Sequence, residues 1–81
     1  MTTSQRIADL NIQIETTSRS NREASMKFTA FLQLYQSCIL GHDHVDADKY
    51  RMEMHTQLDI QLDTIAELQR LSDAMHAAVR Q

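Results

Sequence analysis

Eighty-one residues allow one small domain. The formal net charge of −3, from 8 Lys and Arg against 11 Asp and Glu, argues against a generic nucleic-acid binder. Cys38 is the only cysteine, which excludes an intramolecular disulfide and suits a reducing, cytoplasmic setting. No charged start leads into an apolar run, so neither a signal peptide nor membrane insertion is expected.

Proline is absent and Gly41 is the only glycine. Both residues are poorly tolerated inside helices and favoured in turns, so the chain has room for about one sharp connection. The expected domain is a single helical hairpin over 1–81, with a helix over about 4–39, a loop over about 40–45 and a helix over about 46–79.

In the first segment, Ile7, Leu10, Ile14, Thr17, Asn21, Ala24, Phe28, Phe31, Tyr35 and Cys38 follow alternating steps of three and four. Leu32 and Ile39 join them, giving the stripe of a long amphipathic, coiled-coil-like helix. Ser4 is a reasonable N-cap, although Ile7 three residues later cannot complete a capping box. Leu10, Ile12 and Ile14 also alternate with period two, but no partner strand follows, which favours helix. Thr17 and Asn21 interrupt the stripe: they either fix register or mark a loosely packed N-terminal quarter. Arg19, Arg22 and Lys27 read as a solvated basic face before a phosphate or acidic-partner contact.

Gly41 suits a left-handed helix C-terminus, and Asp43 or Asp46 can cap the next helix, with Asp46 and Asp48 favoured by its dipole. The flanking segments have nearly equal lengths of about 35 residues, or roughly 50 Å as helix. Equal lengths on a short loop are what an antiparallel hairpin requires.

In the second segment the apolar residues Tyr50, Met54, Leu58, Leu62, Ile65, Leu68, Met75 and Val79 are assigned to one inward face, with Gln61 and Ser72 at its wetter edge. Leu62→Asp and Ile65→Asp are then expected to abolish folding or association. Ile12, Leu34, Ile60 and Leu71 fall outside the stripes and form a candidate second, outward surface, with Met26, Leu40 and Met52 also off-face. A double change of Ile60 and Leu71 to Ser is expected to preserve the fold and weaken binding. The aromatic group Phe28, Phe31 and Tyr35 is core, or an anchor set if the hairpin opens to a third helix.

No nucleophile motif, phosphate loop or cysteine pair is present, so no enzyme, cofactor or catalytic residue is expected. His42 and His44 flank Asp43, with Asp46 close behind; such a pair could hold zinc loosely, but loop polarity and capping account for the same letters, and no metal is assigned. His55–Asp59 and Asp73–His76 have ion-pair spacing, His76 is expected to be partly buried, and Cys38 reads as a small core residue.

Gly41, Asp43 and Tyr50, followed by the Leu58, Leu62, Ile65, Leu68 run, resemble the small helical-hairpin co-chaperones of bacterial type III secretion systems. The likeness covers the second half of the chain; the longer first helix and the two-histidine loop depart from the family's pattern. It implies a hairpin that pairs with a helical-repeat chaperone to keep a needle subunit soluble, with no catalytic residues. Two functions are therefore expected: an adaptor or co-chaperone that binds helices of another protein, or a self-associating homodimeric four-helix bundle. Either would complete a hairpin that, alone, buries each stripe on one side only.

Overall fold

The computed structural model describes residues 2–80 and consists of two helices, α1 (Thr3–Leu40) and α2 (His44–Val79). They pack on each other along their lengths as an antiparallel hairpin, 59 Å long and 14 Å across in both other directions at the Cα level. The fold is all-α; the period-two stretch Leu10–Ile14 is helical, because the three-and-four spacing around it puts Leu10 and Ile14 on the seam and Ile12 on the outside.

The start of α1 lies earlier than its sequence suggests. Thr2, not Ser4, is the N-cap: its hydroxyl accepts from the Gln5 amide at 3.1 Å, and its own amide donates to Gln5 Oε1 at 2.9 Å. This is the reciprocal capping box, and it forms here because a glutamine stands three residues after Thr2 whereas Ile7 follows Ser4.

The connection is also tighter, only residues 41–43 against an expected 40–45. Gly41 does not take the left-handed conformation; its φ is −86°, and His42 carries the positive φ of 59°. The reason is a hydrogen-bond pattern that closes α1 one residue later. The Asp43 amide donates to the Cys38 carbonyl at 2.8 Å, and the His42 amide to the Ile39 carbonyl at 3.2 Å. These two bonds are the Schellman pair, which places the left-handed residue at position 42. Asp43 then caps α2, its carboxylate accepting from the Asp46 amide at 3.1 Å. One aspartate thus ends one helix with its backbone and begins the next with its side chain.

The α1 seam is the expected one: all ten positions from Ile7 to Cys38 are buried or half-buried. The α2 seam is Ala47, Tyr50, Met54, Gln57, Gln61, Thr64, Leu68, Leu71, Met75 and Ala78, the same alternation of three and four. Sustained over ten positions on each helix, this is the 3.5-residue repeat of a coiled coil. Its residues form three zones. Near the termini, Leu10, Leu71 and Ala78 are buried together, with Ile7, Ile14, Ala74 and Met75 packed against them. Near the loop, the Phe31 and Tyr50 rings stack with centroids 6.2 Å apart. Between these lies a polar zone, where Asn21 Nδ2 donates to Thr64 Oγ1 at 2.8 Å and reaches the Gln61 carbonyl at 3.4 Å. Asn21 at the seam is therefore a register contact, as one of the two readings of Thr17 and Asn21 required.

Candidate interaction surface

The middle of α2 is inverted relative to an ordinary amphipathic helix. Gln57, Gln61 and Thr64 point into the hairpin, while Leu58, Leu62 and Ile65 face solvent at 41%, 58% and 55% exposure. The polar side is satisfied where it is buried. Thr64 Oγ1 accepts from Asn21 and donates back to its own helix at the Gln61 carbonyl, and among the described residues no buried side-chain N or O atom lacks a partner. The apolar side has no such resolution. Steps of four and three put Leu58, Leu62 and Ile65 in one ladder along the flank of the helix. Val79 lies on the same line about four turns beyond Ile65, past Gln69, Ser72 and His76. At the loop-ward end the ladder opens into a small apolar groove of about 180 Å³, lined by Phe28, Met54, His55 and Leu58.

This ladder corrects the expected inward face of α2. Leu62, Ile65 and Val79 are exposed and Leu58 nearly half so, whereas Tyr50, Met54, Leu68 and Met75 do lie on the seam. Gln61 is half-buried on the seam and Ser72 is fully outside it. The apolar letters misled because they drift around the helix from Leu58 onward. The alternating step already present in α1, carried into α2 through Gln57, Gln61 and Thr64, would have found the seam.

The expected outward set divides. Ile12, Leu34 and Ile60 are exposed, but Leu71 is the largest fully buried side chain among the described residues, at 0% exposure. Its seven-residue distance from Thr64 keeps it on the seam, where it packs with Leu10. Leu34 and Ile60 lie on the flank opposite the Leu58–Ile65 ladder, and Ile12 on the outer side of α1, so the structure does not gather the four into one surface. Phe28, Phe31 and Tyr35 are half-buried on the seam. Met26, Leu40 and Met52 are exposed.

The remaining polar candidates have local roles. His42 is the left-handed turn residue and His44 opens α2; among the described residues no group of three or more His, Cys, Asp or Glu side chains converges as a cation site. Ion pairs link Arg51 with Asp48 and Arg70 with Glu67, rather than His55 with Asp59 or Asp73 with His76, and His76 is exposed. The hydrogen bond from Arg70 holds the Glu67 carboxyl below its ordinary value. Burial, reinforced by the Asp43 and Asp46 carboxylates, pushes the Cys38 thiol up, which keeps it protonated and poorly nucleophilic. Arg19, Arg22 and Lys27 are all exposed. Among the described residues no helix is long and apolar enough to cross a membrane.

Comparison with known proteins gives no relative. No family model matches the chain, and neither a known protein nor a solved structure is significantly similar to it.

Proposed function

We propose that this protein is a helix-binding interaction module, and that the Leu58–Leu62–Ile65 ladder is its docking face. One observation supports the reading above the others: the central three turns of α2 turn amides and a hydroxyl inward and large aliphatics outward. A helix whose apolar side faces away from its only neighbour gains stability when a further helix covers it. Each aliphatic side chain so buried contributes roughly 1.5–3 kcal/mol. Among the described residues Leu10 and Leu71 are the only large aliphatics buried within the hairpin, while Leu58, Leu62 and Ile65 stand exposed together on one flank, where a single neighbour can cover all three.

The narrower setting we propose is an adaptor or co-chaperone that keeps a helical partner soluble, in the cytoplasm and in the manner of the type III secretion hairpins. It draws support from the Gly41–Asp43 turn, the tyrosine-bearing second helix and the outward leucines. Replacing Leu62 and Ile65 together by Ser tests the docking face. In the isolated chain at low concentration this double variant should keep its helicity and shift stability by less than about 0.5 kcal/mol per site, the ordinary effect of a surface change. Association, measured by light scattering or by capture of a co-expressed partner, should fall a hundredfold or more. Loss of helicity in the dilute variant would place both residues in the core and remove the docking face.

A further inference from the structure

Resting on that reading, we infer that the docking face is self-complementary and that its occupant is a second copy of this chain, with α2 antiparallel to α2 of the copy and Leu62 on the twofold axis. The first ground is the position of the ladder. Leu62 lies at the middle of α2, whose bounds are His44 and Val79. A twofold axis through it overlaps two hairpins along their whole length, sets Leu62 against its own copy and brings Leu58 to within one residue, about 1.5 Å along the axis, of the level of the copy's Ile65. One side of the hairpin, 59 Å long and 14 Å across at the Cα level, has an outline of about 800 Å², large enough to hold a standard stable interface.

Charge is the second ground. Asp48 stands fourteen residues before Leu62 and His76 fourteen after it, and the seam repeat puts all three on the same line of the helix. Antiparallel overlap therefore brings Asp48 to the copy's His76. Parallel overlap would set Asp48 against Asp48. Within one chain these partners cannot meet, since 28 helical residues separate Asp48 from His76 by about 42 Å.

The third ground excludes the other symmetric arrangement, α2 against α1 of the copy. The seam spacing puts Ser18, Arg22, Ser25 and Thr29 of α1 on the flank beside the ladder, so that arrangement would cover Leu62 with an arginine and hydroxyls. Against its own copy it meets a leucine. The small Ser18 and Ser25 side chains then leave room for the neighbouring helices to approach.

The test uses the full chain with Cys38→Ser, so that an introduced thiol is the only one. The parent should sediment as a dimer. Leu62→Cys should cross-link to a covalent dimer under diamide, and Gln33→Cys, on the outer side of α1, should not. Asp48→Lys should raise the dimer dissociation constant severalfold, and adding His76→Asp should restore it, a rescue available only between chains. A dimer that Leu62→Ser with Ile65→Ser breaks, but that does not cross-link through position 62, overturns the antiparallel pairing and leaves the docking face standing. A parent monomeric at every concentration overturns the self-pairing. If that monomer binds an apolar fluorescent dye that the Leu62→Ser, Ile65→Ser variant does not, the docking face survives; if the dye binds both alike, the docking face falls as well.

Discussion

The terminal end of the hairpin and its middle are built on the same repeat and behave in opposite ways. At the terminal end the seam positions hold Leu10 and Leu71, both fully or almost fully buried, with isoleucines, alanines and a methionine around them. Half a hairpin away the same positions hold Asn21, Gln61 and Thr64, joined by hydrogen bonds, and the apolar side chains stand outside. A buried leucine gains from leaving water, whereas a hydrogen bond between side chains that water would also satisfy contributes about 1 kcal/mol net. The difference teaches where each task is carried. The terminal end supplies cohesion; the middle supplies register on its inner side and a face for another helix on its outer side.

The most damaging change should therefore lie far from the docking face. Leu71→Ala removes the one large side chain with no exposure and should cost about 2–5 kcal/mol in urea denaturation, a large share of the stability of so small a domain. A loss below about 1 kcal/mol would break the contrast between the two regions. Asn21→Ala should cost less, about 0.5–1.5 kcal/mol, because it removes the bond to Thr64 and the longer one to the Gln61 carbonyl, while those two groups keep their bond to each other. An effect as large as that of Leu71→Ala would mean that the polar zone is a source of cohesion after all.

The loop end sharpens the comparison at the smallest scale. Gly41 has an ordinary φ, and a Cβ there would meet its nearest non-neighbouring atom, the Ser37 carbonyl oxygen, at 3.4 Å. Gly41→Ala should thus raise stability, by about 0.4–1 kcal/mol, through the unfolded chain. His42→Gly relieves the left-handed residue and should be neutral or stabilising, with thermal melting as the check. Destabilisation by Gly41→Ala would mean that position 41, not 42, takes the left-handed turn.

These regions also mark what the sequence made legible. The ten-position α1 seam could be read, Thr17 and Asn21 included, because its step of three and four persists through polar letters; Ile39, also assigned to the stripe, is exposed because it lies one residue past the seam position Cys38. The hairpin followed from a lone glycine between two periodic segments; of the two cap candidates, Asp43 takes the role and Asp46 supplies the amide it accepts from. The α2 seam could not be read from hydrophobicity, since Leu58, Leu62 and Ile65 carry a stronger apolar signal than Gln57, Gln61 and Thr64 yet lie outside. A partner-facing leucine and a core leucine are the same letter, and the period alone separates them. The alanines Ala47, Ala74 and Ala78 were missed for a related reason: they bury well but weigh little in an apolar stripe. The left-handed histidine depends on which carbonyl accepts the last amide, and no residue type announces that.

The central claim is that α2 turns Leu62 outward and Leu71 inward, and thiol labelling tests it most directly. In a Cys38→Ser background, Leu62→Cys and Leu71→Cys are each exposed, under reducing conditions, to a soluble maleimide over a wide range of protein concentrations. The thiol at position 71 should be protected at every concentration, while that at position 62 should react at nearly the unfolded rate when dilute and slow as the chains associate. Rapid labelling at position 71, with protection at position 62 that does not depend on concentration, would contradict it.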